Sequence, residues 1–276
     1  MDNFFLLIAI GFLVGMLGTL IGAGGGFLLV PLLIIMYPKL TPDIITAVSI
    51  AIVACNAISG SVAYSRSGRI DFKAGLVFAF FTIPGSILGV IVTKYIPSQV
   101  FHIVFGAILI MLAILLFFKK RPQHEHKTDH SNLPSGWKHH SLTDRTGCNY
   151  DYSYNQTKGI LISIVVGFIS PILGIGGGII HVPAMVNILY FPVYVATATS
   201  HFILAIMSTV SVIVHAIQGS YDSAYILRMV IGLCLGVIPG AQVGAFISHK
   251  IKGKTIIRAL AVCIGIVGIR ILLGSS

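Results

Sequence analysis

Long unbroken apolar runs separated by short polar turns dominate this chain. They show neither the period-two alternation of a half-buried strand nor the narrow stripe of a surface helix, so the pattern predicts membrane-spanning helices. Phe4 to Ile21 is the first run. It ends in Gly22-Ala23-Gly24-Gly25-Gly26, and the apolar stretch that follows, Phe27 to Met36, offers only about 15 Å of helix, half a bilayer. After the polar turn Tyr37 to Asp43, with Pro42 at a helix start, come spans at Ile44 to Tyr64, Ala74 to Val92 and Val100 to Phe118.

The same order is written again beyond a polar connector. Gly159 to Leu173 leads into Gly174-Ile175-Gly176-Gly177-Gly178, Ile179 to Leu189 is the half-length segment, and spans follow at Val193 to Ala216, Ala224 to Ile247 and Thr255 to Leu273. Landmarks match in register. Ala47-Val48-Ser49 pairs with Ala198-Thr199-Ser200, Gly68 and Asp71 with Gly219 and Asp222, and Pro84-Gly85 with Pro239-Gly240. Such matching indicates an internal duplication. The expected fold is an all-α polytopic membrane protein with eight apolar spans by simple hydropathy and up to ten helices. Residues 1–118 form a first repeat, 119–158 a polar cytoplasmic linker and 159–276 a second repeat. Within the linker, Trp137 to Leu142 and Asn149 to Tyr154 flank Asp144-Arg145-Thr146-Gly147, which suits a small β-hairpin; an unstructured loop is the alternative.

Glycine in a helix interior costs about 1 kcal/mol relative to alanine. Four glycines in five positions therefore break a helix, and the freed backbone is tolerated at membrane depth only where it is buried in protein or lines a cavity. The plainer reading of these glycines is close helix packing of the small-xxx-small kind. A dinucleotide fingerprint fits poorly, because its sixth position is Phe27 or Ile179 here.

Composition sharpens the membrane assignment: 56% of residues are hydrophobic and 9% charged, with a net charge of +10. The basic residues are scattered between spans rather than gathered on one face, so they read as the positive-inside rule and not as a nucleic-acid surface. Met1-Asp2-Asn3 has no basic n-region, and no cleavable signal peptide is expected. Cys55, Cys234 and Cys263 lie in apolar spans and Cys148 alone in the linker, which makes no disulfide framework or cysteine metal site.

Charge also orients the halves. If each glycine-broken segment crosses the membrane once, the halves are parallel and twelve of the 18 basic residues share the linker's side. If each turns back as a re-entrant hairpin, the halves are inverted and only Lys39, Lys94, Arg228 and Arg270 lie opposite, leaving fourteen with the linker. The second arrangement obeys the positive-inside rule better, so two inverted repeats are expected, each a re-entrant hairpin plus three transmembrane helices, with both termini outside.

No span carries an Asp or Glu at depth, which argues against an intramembrane carboxylate relay. What remains at depth is glycine-rich backbone with Ser49, Asn56, Asn187, Thr199, Ser200, Gln242, His181, His201 and His215. Helix N-termini at Gly26 and Gly178 carry unsatisfied N–H groups and about half a positive charge each, which suits a small oxyanion. A cation would instead want carboxylates or a carbonyl ring. Each polar residue also has a structural reading: interhelical hydrogen bonding for the histidines and for Asn56. The linker histidines His124, His126, His130, His139 and His140 could hold zinc or copper, but loop histidines without a cysteine partner are ordinarily solvated, and no metal or other cofactor is expected.

The paired G-x-G-G-G-x-x-x-V-P segments, the A-x-S helix starts and the P-G-x-x-x-G pattern in the third span of each half resemble the TauE/SafE sulfite exporter family of membrane permeases. The resemblance covers nearly the whole chain. It implies transport of sulfite, sulfonates such as sulfoacetate, or related small organic anions, outward across the bacterial cytoplasmic membrane. Carried over by position, the substrate would be bound by Gly24, Gly25, Gly26, Ser49, Asn56, Gly176, Gly177, Gly178, Ser200 and His201; His181, His215 and Gln242, read from the residues themselves, are the candidates for coupling or gating. The halves differ where Leu29 faces His181, Ile50 faces His201 and Tyr64 faces His215, so an asymmetric site is expected. The leading expectation is a secondary transporter working by alternating access, coupled to protons through histidine. The rivals are a passive anion channel, a permease for another small organic anion, and an enzyme or scaffold acting through the linker. The expected partners are the lipid bilayer and a small anion, without nucleic acid; a homodimer is left open.

Overall fold

The computed structural model describes residues 4–118 and 136–248, together with positions 265, 268, 269 and 271. Apart from those four positions, the expected last span, Thr255 to Leu273, lies outside the described residues, as do the linker histidines His124, His126 and His130 and the basic positions 250, 252, 254, 258 and 270. The elements are α1 (Phe4–Ile21), α2 (Gly26–Met36), α3 (Pro42–Ser67), α4 (Phe72–Thr93), α5 (Ser98–Phe118), β1 (Trp137–Thr143), β2 (Asn149–Asn155), α6 (Gln156–Leu173), α7 (Gly178–Asn187), α8 (Val193–Ile217) and α9 (Ala224–Ile247). Six of the described helices, α1, α3, α4, α6, α8 and α9, are long and apolar enough to cross a membrane. Many large apolar side chains point outward, Phe5, Phe80 and Ile217 among them, as a lipid-facing surface requires.

Local signals place the helix ends. Pro42 stands in the first turn of α3, and Gly68, at φ 72°, ends that helix in the left-handed conformation that glycine adopts without a Cβ clash. Asp71 caps α4 by accepting from the Ala74 N–H, and Asn155 caps α6 by accepting from the Lys158 N–H.

Glycine ridges set the packing. On α9, Gly236, Gly240 and Gly244 lie against the carbonyls of Ile8, Phe12 and Met16 on α1, so a methyl group at any of them would collide with backbone. Residue numbers rise together along this contact, so α1 and α9 run the same way. The α4–α6 contact repeats it: Gly85 meets Ile164, and Gly89 meets Phe168. Helices α3 and α8 run oppositely. Gly60 and Tyr64 lie against His201, whereas Val53, earlier on α3, clusters with Leu204 and Met207, later on α8.

Each glycine run turns its chain back. Phe4, at the start of α1, lies under Arg228 of α9; Tyr37, just past α2, stacks edge-on with Tyr225 of the same α9 turn. Helix α2 thus returns to the end from which α1 set out. Likewise Leu189, beyond α7, lies beside Gly159 at the start of α6. Strands β1 and β2 pair antiparallel from Trp137↔Asn155 to Thr143↔Asn149, with Asp144 to Gly147 in the turn.

Candidate functional site

The two glycine tips meet in the interior. Gly22 to Gly26 and Gly174 to Gly178 are all buried. In each tip three glycines hold positive φ: Gly22, Gly24 and Gly25 at 85°, 78° and 84°, and Gly174, Gly176 and Gly177 at 67°, 76° and 58°. A side chain there costs about 1–2 kcal/mol per residue. The remaining glycine of each helix start is required by contact instead, since a Cβ on Gly26 would meet the Gly174 carbonyl and one on Gly178 the Gly22 carbonyl. The tips therefore touch backbone to backbone and reciprocally, and α2 and α7 leave from that contact. Their first turns are closed onto the tips: Leu28 and Leu29 N–H donate to the Gly25 carbonyl, and Ile180 and His181 N–H to that of Gly177.

Around this contact lie buried polar atoms without hydrogen-bond partners. Asn56 Oδ1 accepts from Thr19 Oγ1 at 2.6 Å, but its Nδ2, on the Gly18 and Gly25 side, is unpaired. Ser170 Oγ, facing Gly177, is unpaired in the same way, so each tip carries one free donor. On α8 the Ser200 hydroxyl and both ring nitrogens of His201 are also unpaired; the Thr197 carbonyl lies near the ring, but outside hydrogen-bonding geometry. Asn56, Ser200 and His201 are completely inaccessible to solvent. His201 is boxed by Gly60 and Thr19 and stacks edge-on with Tyr64, whose hydroxyl donates to the Thr19 carbonyl at 3.0 Å. An unpaired buried donor costs about 1–3 kcal/mol, so several beside two helix N-termini point to a visiting acceptor.

Not every expected residue joins this group. Ser49 belongs to it structurally, its hydroxyl donating to the Gly174 carbonyl at 2.6 Å. Gln242 instead ties α9 to α3, its Nε2 donating to the carbonyl and hydroxyl of Ser59 at 2.7 and 2.9 Å. His181 lies by Ser163 and Phe78, nearer the start of α6 than the tips. His215 sits at the far end of α8 by Ser220 and Tyr221, with Nε2 unpaired. Asn187, expected at depth, is exposed at the end of α7, where its amide folds back on the Pro183 carbonyl. Thr199 turns away from the tips to accept from the Asp71 N–H.

Sequence reasoning passed over Thr19, Ser170 and Gly60. Ser170 and Gly18 occupy matching places in the duplicated pattern, one glycine and one serine, and that mismatch was the available signal. The described residues hold no cluster of three or more metal-ligating side chains.

The family profile described as sulfite exporter TauE/SafE matches residues 7–271. The chain is 32% identical over 276 residues to the "Probable membrane transporter protein YunE" of Bacillus subtilis, covering 98% of this chain and 97% of that one. It is 28% identical to the "Probable membrane transporter protein MJ0441" of Methanocaldococcus jannaschii, covering 97% and 95% respectively. No solved structure matches it. A duplicated glycine-tip architecture, apolar helices enough for a multi-pass protein and a profile match from end to end agree: the chain belongs to the TauE/SafE sulfite exporter family of membrane transporters.

Proposed function

We propose that the protein is a secondary transporter that exports small sulfur-containing anions, such as sulfite or sulfoacetate-like organosulfonates, across the bacterial cytoplasmic membrane. The observation that carries this reading is the pair of unpaired donors, Asn56 Nδ2 and Ser170 Oγ, one beside each glycine tip, with Ser200 and His201 unpaired on α8, the helix whose Thr197 and Leu204 touch the first tip. Two helix N-termini and a set of neutral donors favour an oxyanion, whose oxygens accept several hydrogen bonds at once. No apolar span carries a carboxylate at depth to repel it.

Inverted repeats supply the movement. Corresponding helices α3 and α8 run oppositely, while α1 of one half lies parallel to α9 of the other and α4 parallel to α6. A two-fold axis in the membrane plane relates halves in this way, with each tip a re-entrant hairpin and the linker cytoplasmic. Alternating access is then one repeat rocking against the other about the tips, and the buried site is its occluded state. Protons couple through His201.

The test is efflux of sulfite and sulfoacetate from proteoliposomes under an imposed pH gradient. Uphill efflux that follows the gradient is expected. Single-channel current, or flux that never exceeds the anion's own gradient, would instead make the protein a channel.

A further inference from the structure

The β1–β2 hairpin is fastened to the loop between α3 and α4 by two buried carboxylates. Asp71 is 5% exposed. Its Oδ1 accepts from the Ala74 N–H at 3.0 Å, while Oδ2 meets His140 Nδ1 at 2.5 Å and accepts from the Tyr152 hydroxyl at 2.7 Å. Its own N–H donates to Thr199 Oγ1 at 3.0 Å, and Thr199 precedes Ser200 and His201 on α8. One residue therefore touches the hairpin, the start of α4 and the helix that carries the candidate site. The second clasp is Arg69 Nε to Asp144 Oδ2 at 2.9 Å, beside a backbone bond from Arg145 N–H to the Ser67 carbonyl at 3.1 Å.

The same face of the hairpin also rests on the second half of the molecule. The Tyr152 and Tyr154 rings lie 4.7 and 4.8 Å from that of Phe191, in the turn between α7 and α8, and Trp137 stacks on Tyr190. The hairpin thus bridges the two halves across one end of the α3–α8 pair. Its hold on the second half is aromatic, and the same buried rings continue onto the first half, where Tyr154 packs edge-on against Phe78 of α4 at 5.9 Å. Its remaining hold on the first half is polar and switch-like, since a carboxylate that loses one partner while buried is costly and one released to water is not. If the halves move against each other, this end opens only when the hairpin lets go of one of them.

We propose that the β1–β2 hairpin is a gate on the linker-side mouth of the anion site, hinged on Phe191 and latched to the α3–α4 loop by Asp71 and by the Arg69–Asp144 pair. The proposal rests on the transport reading of the glycine tips. With the latch closed the site is occluded on the linker side; with it open, Asp71 releases His140 and Tyr152 while keeping its cap on α4.

Two measurements test it. In a Cys148→Ser background, Ser67→Cys with Arg145→Cys places thiols at positions already joined by a backbone bond. A short bis-maleimide bridges them through thioethers, which sulfite does not cleave as it would a disulfide, and N-ethylmaleimide serves as the unbridged control. Sulfite and sulfoacetate efflux at least tenfold slower in the bridged protein supports the gate. Equal efflux overturns the gate and leaves the transport reading standing, whereas no efflux in either form overturns that reading and the gate with it. Separately, Asp71→Asn keeps a good helix cap but weakens the latch. Amide exchange in residues 137–155 is expected to quicken at least tenfold while α4 is unchanged; exchange equal to that of the parent protein overturns the latch.

Discussion

Ser49 donates to the Gly174 carbonyl at 2.6 Å, whereas Ser200, its counterpart in the duplicated pattern, makes no hydrogen bond. One serine thus ties α3 to the opposite glycine tip, and the other is buried on α8 without a partner. The two positions are expected to differ on substitution. Ser49→Ala removes a buried bond and leaves the carbonyl short of a partner, for a loss of about 1–3 kcal/mol in stability. Ser200→Ala deletes a hydroxyl that bonds to nothing, so thermal unfolding in detergent should be nearly unchanged while anion efflux falls. Equal loss of stability in both variants would mean that Ser200 is also a structural fastener.

The tip contact gives a graded prediction for glycine. Alanine at Gly26 or Gly178 drives a methyl group into the carbonyl of the other tip, where no flexible side chain can yield. Overpacking of this kind costs about 1–3 kcal/mol or more. At Gly147, in the hairpin turn, nothing lies within 4 Å of the added Cβ and only the positive φ of 85° opposes it, for about 1 kcal/mol. Folded yield on size-exclusion chromatography should fall sharply for Gly26→Ala and Gly178→Ala and little for Gly147→Ala.

The proposed proton coupling rests on His201. Its ring is boxed by Gly60, Thr19 and Tyr64 with no hydrogen-bonded partner, so a proton taken there would be stabilised chiefly by an anion arriving at the tips. His201→Ala should abolish the response of efflux to a pH gradient while downhill flux persists. A gradient response equal to that of the parent protein removes histidine from the coupling.

Much of this architecture was legible because a membrane simplifies the reading. A run such as Phe4 to Ile21 can only be a helix in hydrocarbon, and the duplicated glycines read as breaks, with close helix packing as the plainer alternative. The strands around Asp144 to Gly147 were less plain, since their short polar pattern suited an unstructured loop nearly as well. The packing was less visible. Gly232, Gly236, Gly240 and Gly244 recur every fourth residue, but which helix they would meet depends on how two distant halves exchange partners. Asp71 and Asp144 read as ordinary turn residues, since sequence cannot show a polar connector folding back over them. Asn187 looked deep only because the end of α7 was placed too late, at Leu189 rather than at Asn187 itself.

Asp144 supplies the pH prediction. Its carboxyl is covered by its own turn rather than sunk in the interior: the side chain is inaccessible, yet it lies close to the molecular surface. The Thr146 hydroxyl, then the Arg69 guanidinium and the backbone amides of Cys148 and Thr146, hold it below the ordinary value of 3.8 against the opposing effect of burial. A depressed carboxylate contributes stability that is fully present above its unfolded pKa and is lost as pH falls through the folded one. The Asp144 contribution to hairpin docking should therefore be constant from neutral pH to about 5 and weaken progressively below about 4. Replacing Arg69 with Met removes one of the stabilising partners, so docking should be weaker throughout and its acid loss should begin at higher pH. Amide exchange in residues 137–155 between pH 3 and pH 7 reads both effects, and an acid profile identical in the two proteins would show that the Arg69–Asp144 pair does not hold the hairpin down.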